Sequence, residues 1–186
     1  MFWIFITLLI VQRVSEAAVA KNNEKIMKKQ GAKEYGKVHY PFIVGMHVLF
    51  FFSFLAEVLF LERDLSPVWY LILPFILMAQ LLRYWALASL GTCWNTKILM
   101  LPNLKVVTKG PYKYIRHPNY LVVAMEFVLL PLLFQAYFTA ILFSILNACL
   151  MGIRIPEEEA ALLENSMDKE KYAITERFLP KRQNDH

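Results

Sequence analysis

Cysteine and glycine are scarce in this chain and, over one long stretch, acid is absent. Its two cysteines, Cys93 and Cys149, form no CxxC pair, which excludes a disulfide framework and a cysteine-built zinc site. No GxGxxG, Walker loop, HExxH or Ser-His-Asp pattern occurs, so nucleotide binding on a soluble-type fold is unsupported, and no metal site is expected. From Gly91 to Pro118 there is not one Asp or Glu. What the chain has in excess is apolar surface. Of 186 residues, 58% are hydrophobic and 15% aromatic, at a mean hydropathy of +0.41, against about 45–50% apolar in soluble domains. Disorder is excluded by the same composition. The net charge of +5 comes from basic residues lying beside apolar runs, which suits anionic lipid headgroups and not nucleic acid. This reads as a membrane protein.

The apolar runs predict an all-α fold: a polytopic membrane bundle of about five transmembrane helices with a cytoplasmic C-terminal helix, residues 1–186 forming one integral membrane domain. The first span covers Met1 to about Ala20. Ala18-Val19-Ala20 resembles a signal-peptidase site, but no Lys or Arg precedes the apolar run, so the first helix is expected to be retained. Residues 21–40 then read as a polar loop with six lysines. Further spans are expected at about 41–61, 69–90, 119–134 and 138–153, and Pro156 is expected to open a new, surface-lying helix that ends near Pro180. Loops 21–40 and 91–118 and the tail are basic, whereas 62–67 and 135–137 hold one Arg between them. The positive-inside rule places the N-terminus outside and the basic segments in the cytoplasm.

Three groups of residues break the pattern of greasy helix and polar loop. Gly110-Pro111 and His117-Pro118 hold the backbone irregular just before a span, where free amides at a helix start favour an anionic group. Arg154-Ile-Pro-Glu-Glu-Glu159 sits where the last span meets water, and alone it suits a snorkelling anchor and the acid-rich start of a helix. Glu57, Arg83 and Glu126 are ionisable groups inside spans and therefore functional candidates. Of these, Glu126 is the candidate substrate contact, Arg83 reads as reaching the inner interface, and Glu57 as snorkelling outward. His39 and His47 read as polar packing residues, and Met78, Met125 and Met151 as core filler.

Gly110-Pro-Tyr-Lys-Tyr-Ile-Arg-His-Pro-Asn-Tyr120, followed by Arg154-Ile-x-x-x-Glu-Glu-x-x-Leu162, resembles the isoprenylcysteine carboxyl methyltransferase family. The likeness runs from Leu87 to Pro180, opening with Leu90-Gly91-x-x-Trp94 and closing with Arg177-Phe-Leu-Pro180. Residues 87–180 would then be the methyltransferase motif region. The resemblance implies S-adenosylmethionine bound at the cytoplasmic face. Leu104, Lys105, Val106 and Val107 would line its adenosine. Tyr112 and His117-Pro118-Asn119-Tyr120 would hold its sugar and amino-acid end, with Glu158 completing the site. Arg154 would grip the anionic oxygen of a lipophilic acceptor, so that Arg154 and Glu158 form the catalytic pair. Pro156 departs from the pattern, so stacking of those two side chains on one helix is not expected. The acceptor is a prenylcysteine-type carboxylate or, for a small prokaryotic-type member, an acidic enol or phenol such as an alkylpyrone. Competing readings are phospholipid N-methylation, which a cationic Arg154 disfavours, and a non-enzymatic transporter or structural subunit.

Overall fold

The computed structural model describes residues 1–103 and 105–167. Five helices carry the chain: α1 (Phe2–Lys29), α2 (Tyr40–Phe60), α3 (Trp69–Leu90), α4 (Pro118–Leu133) and α5 (Tyr137–Asn165). Strands β1 (Lys33–Tyr35) and β2 (Ile98–Met100) form an antiparallel ladder pairing Lys33 with Met100 and Tyr35 with Ile98. α1, α2, α3 and α5 are long and apolar enough to cross a membrane. α4 has 16 residues, about 24 Å at 1.5 Å per residue. The membrane bundle expected from composition is therefore present, and α2 and α3 fall where their apolar runs predict.

Proline marks the starts of α2 and α4, at Pro41 and Pro118, because a first-turn residue has no helical acceptor for its N–H in any case. Aromatic side chains fill the centre. Phe50 of α2 lies edge-on to Phe127 of α4 at 4.7 Å and to Phe143 of α5 at 5.5 Å, and Phe2 of α1 meets Phe134 at 4.9 Å. Elsewhere the apolar side chains point outward: Phe60 and Leu81 are 85% and 72% exposed. In water such a surface would aggregate, so its solvent is lipid.

Three expectations are corrected. The polar loop after Ala20 is helix as far as Lys29, because its lysines and glutamates are good helix formers and Lys28 pairs with Glu24 one turn back at 2.5 Å. Gly31, at φ +87, ends the turn that follows and delivers β1 to β2. A strand pair joined across more than sixty residues of chain leaves no local signature. The last span does not stop at Ile153: α5 runs unbroken through Pro156 to Asn165. Arg154 and Ile155 before the proline and Glu159 and Ala161 after it are all buried, and this packing holds a helix that proline disfavours by about 3 kcal/mol. The expected tail helix to Pro180 lies outside the described residues.

Glu57 does not snorkel. Its carboxylate accepts the backbone N–H groups of Phe138 and Thr139 at 3.0 and 2.7 Å, two amides of the first turn of α5 that have no partner within the helix. Glu57→Leu should strand both and destabilise the protein by about 1–3 kcal/mol, read as a lower unfolding midpoint in detergent. A wild-type midpoint would show that lipid or water satisfies those amides.

The inner half of α1 positions the segment that enters the site. Asn23 donates to the carbonyl of Trp94 at 2.8 Å, and Asn95 donates back to that of Ala20 at 3.0 Å. Lys97 reaches Glu24 at 2.9 Å and Glu34 at 3.5 Å. These contacts, the hydrogen bond that Lys97 donates to Glu24 foremost, hold the Lys97 ammonium above the ordinary lysine value.

Candidate active site at the basic end of the bundle

Gly110 sets the entry to the site. At φ +61, a Cβ there would lie 2.0 Å from Ser89 Oγ and 3.1 Å from Trp85 Nε1, so only glycine lets the chain lie against α3. One tight turn, Gly110–Lys113, follows, with Pro111 and Ile115 buried. The chain then reaches His117 and enters α4 at Pro118. Tyr112 comes back over the start of α4, where Asn119 Nδ2 donates to its hydroxyl at 3.0 Å. Burial first, and the Glu158 charge second, push the Tyr112 phenol well above the ordinary tyrosine range, with the Asn119 bond opposing. It stays a neutral hydroxyl.

Because α5 continues through Pro156, Arg154 and Glu158 stand one turn apart on one face, and Tyr120 of α4 lies between them. The Tyr120 hydroxyl donates to the Glu158 carboxylate and accepts from Arg154 Nε at 2.8 Å. A second arm of Arg154 donates to the Thr96 carbonyl at 2.5 Å. The His117 ring stacks on Tyr120 with centroids 5.3 Å apart. Its Nε2 lies 3.2 Å from Glu159 Oε1 and its Nδ1 3.9 Å from Glu158 Oε1. Arg116 reaches Glu159 at 3.5 Å. His117, Arg154 and Glu159 are all buried.

All of these side chains but Glu159 line a cavity of about 960 Å³, whose lining falls into two stretches, or arms. One arm is polar and mixed, lined by Lys105, Val106, Val107, Tyr112, Asn119 and Glu158. The other runs along the membrane between α1 and α2, past Ile10, Val14, Val44, Val48 and Phe52. Val14 and Phe52 on its walls are 63% and 65% exposed, so this arm opens toward lipid. Arg154 and Tyr120 line the same cavity. At about 960 Å³ it is at the large end for a single small-molecule site.

The structure brings together every candidate it describes from 105–120 and 154–158. Leu104 lies outside the described residues. Glu126 is placed differently. Its carboxylate is taken up by Arg13 at 2.7 Å, Gln80 at 2.7 Å and Arg83, and it does not line the large cavity. Arg83 does not reach the interface either: it is buried, donating to Glu126 and, at 3.0 Å, to Glu16. Sequence reasoning missed Arg13 and Glu16 as their partners. The available signal was two opposite charges three apart inside an apolar run. It also missed Thr96, whose contribution is a backbone carbonyl that no residue type announces, and Glu157, which meets His39 at 2.8 Å.

Comparison with known proteins agrees with this arrangement. Residues 71–164, half of the chain, running from the first turn of α3 to the last turn of α5, match the isoprenylcysteine carboxyl methyltransferase family. The chain is also 55% identical to the uncharacterized protein YpbQ of Bacillus subtilis (strain 168), over 90% of this chain and 99% of that one. It is 27% identical to an uncharacterized protein of Haemophilus influenzae, over 83% and 90% of the two chains. With the RHPxY turn, the Arg154–Tyr120–Glu158 chain and the family match spanning the same elements, the protein belongs to the isoprenylcysteine carboxyl methyltransferase family of membrane methyltransferases.

Proposed function

We propose that the protein transfers a methyl group from S-adenosylmethionine to an anionic oxygen of a lipophilic acceptor, a prenylcysteine-type carboxylate or an acidic enol or phenol. The observation that carries this reading is the Arg154–Tyr120–Glu158 chain on a cavity with one polar and one lipid-facing arm. Such a cavity admits a polar reactant from the cytoplasm and a greasy one laterally from the bilayer. The donor set suits the cofactor. Val106 and Val107 offer apolar surface for a purine, Asn119 and Tyr112 offer hydrogen bonds, and Glu158 offers a negative charge to a cation in a partly dry site.

When bound, the cofactor supplies a methyl group on a positively charged sulfur, whose C–S electron pair stays on sulfur as the acceptor oxygen forms the new O–C bond. An ionised carboxylate or acidic enol needs no proton removed, so these residues have only to position two reactants. Arg154 can present two N–H groups to the acceptor oxygens. Tyr120 fixes the guanidinium through Nε and ties it to Glu158, so donor and acceptor sites share one hydrogen-bonded spine.

Tyr120→Phe removes both bonds of that spine while keeping the ring that stacks on His117. It should weaken S-adenosylhomocysteine binding by about tenfold or more, the scale of a hydrogen bond to a charged group, and His117→Ala should weaken it as well. Titration calorimetry on purified protein in detergent reads this directly. Unchanged affinity in both variants, with wild-type melting, would remove this segment from the cofactor site.

The charge distribution supports an outside N-terminus and a cytoplasmic site. Five crossings carry α1 inward to Lys29 and bring α5 inward to Asn165. With Cys93 and Cys149 replaced by serine, Lys29→Cys and Lys109→Cys should resist a membrane-impermeant thiol reagent in sealed cells and react after permeabilisation. Labelling from outside would invert the topology.

A further inference from the structure

About two helical turns membrane-ward of the methyl-transfer site lies a polar group the reaction does not use. From Tyr120 to Glu126 along α4, and from Tyr40 to His47 along α2, the rise is about 9–11 Å. At this depth Arg13, Glu16, Arg83 and Glu126 form a closed set of ion pairs, with Gln80 donating to Glu126 and Gln12 donating to Gln80, each at 2.7 Å. Two positive and two negative charges balance, so the group needs no counter-ion. Arg13, Glu16 and Arg83 of this group also line the large cavity, as does His47, whereas Glu126 does not.

Between Arg13, His47 and Glu126 is a separate small alcove of about 20 Å³, closed on its other sides by Phe50, Phe127 and Leu130. Arg13, His47, Phe51 and Val123 wall both this alcove and the large cavity. Its size is that of one oxygen-bearing group, since a single water needs about 10–15 Å³ on this measure. The polar groups of the residues that wall it are complementary. His47 Nδ1 lies 2.8 Å from the Ile43 carbonyl, which can only accept, so Nδ1 carries a hydrogen and Nε2 of the neutral ring is an acceptor. Among the described residues, the bond of Nδ1 to Ile43 is the only hydrogen bond of this ring. Arg13 engages Glu16 and Glu126 through one N–H of each terminal nitrogen, and a guanidinium has five donors in all. An acceptor on one side and a donor on the other suit a hydroxyl group.

We propose that this alcove is a second polar subsite, which receives a hydroxyl group carried on the hydrophobic body of the methyl acceptor. The inference rests on the acceptor reading given above and deepens it. A lipophilic acceptor with its anionic oxygen at Arg154 and its chain along the α1–α2 cleft passes the alcove two turns deeper. A plain chain leaves Arg13 and His47 facing hydrocarbon, whereas a chain with a hydroxyl at the matching carbon satisfies both. Glu126 acts here as a positioning residue that holds Arg13.

The test uses the full chain in detergent with saturating S-adenosylhomocysteine. Binding is measured for two series of amphiphiles, 6-alkyl-4-hydroxy-2-pyrones and N-acetyl-S-alkylcysteines, each plain or with one hydroxyl at successive carbons of the alkyl chain. One hydroxyl position in at least one series should bind about three- to tenfold more tightly than the plain chain, the range of one or two neutral hydrogen bonds. His47→Phe should abolish that preference, and His47→Gln, which can again present an acceptor, should retain part of it. If His47→Phe fails to fold, Val123→Ile narrows the alcove instead and should lower the same ratio. Binding of plain chains with no preferred hydroxyl position, or a preference untouched by the variants, overturns the subsite and shows the alcove to hold water only. No binding of either plain series overturns the acceptor reading and this inference with it.

Discussion

Arg83→Leu is expected to destabilise the bundle by about 3–5 kcal/mol, the loss typical when one partner of a buried ion pair is removed. Arg83 is only 6% exposed and holds Glu126 and Glu16 together. Without it, two carboxylates that are only 11% and 8% exposed share the single cation Arg13. The sharper measurement is the double variant. Arg83→Leu with Glu126→Leu removes one charge of each sign and leaves the Arg13–Glu16 pair, 2.8 Å apart, intact. The double variant should therefore unfold at a higher temperature than Arg83→Leu alone, although it carries one more substitution. High salt should change neither result much, because buried pairs are poorly screened. A single variant within about 1 kcal/mol of wild type, as for an exposed pair, would mean that the charges reach water.

The second large effect divides acceptor from donor. Arg154→Lys keeps the positive charge but loses the planar fork that grips Tyr120, Thr96 and an acceptor oxygen together. Turnover should fall about ten- to hundredfold, the equivalent of about 1.5–3 kcal/mol, with cofactor affinity changed little. Glu158→Gln should act in reverse, losing S-adenosylmethionine affinity first, since its charge faces a cation. In that variant the Tyr120 hydroxyl keeps an acceptor, the carbonyl oxygen of the new amide, so a general collapse of the site is not expected. Phospholipid N-methylation predicts otherwise: an amine acceptor is repelled equally by Lys and Arg, and Arg154→Lys is then harmless. Single-turnover rates and binding titrations on both variants separate these outcomes. Equal losses of cofactor affinity in the two would refute the division of labour.

The Gly110–Tyr120 segment and the Arg154–Glu158 stretch stood out because they put turn residues, an imidazole and paired charges beside membrane spans, and the family resemblance made them legible as chemistry. Glu57, Arg83 and Glu126 were legible as exceptional for the same reason, but not in what they do. Sequence marks a buried charge as costly and is silent on its partner, and here the partners lie on other helices. Glu57 finds the amides of α5, 81 residues on, and Arg13 meets Glu126 across 113 residues.

Composition and the spacing of apolar runs determined by themselves that this chain is a membrane bundle and where its central spans lie, and the likeness of two basic segments to a family motif marked them as methyltransferase-like. These properties are local, since a span needs only enough consecutive apolar residues and a motif only its own neighbours. Tertiary structure alone decided the rest. It kept α5 helical through Pro156, because burial on both sides outweighs a local preference, and so aligned Arg154 with Glu158. It joined β1 to β2 through backbone hydrogen bonds that residue types do not encode. It gathered four charges from α1, α3 and α4 into one neutral cluster. Each outcome depends on which surfaces meet when the helices pack, and no stretch of sequence holds that information alone.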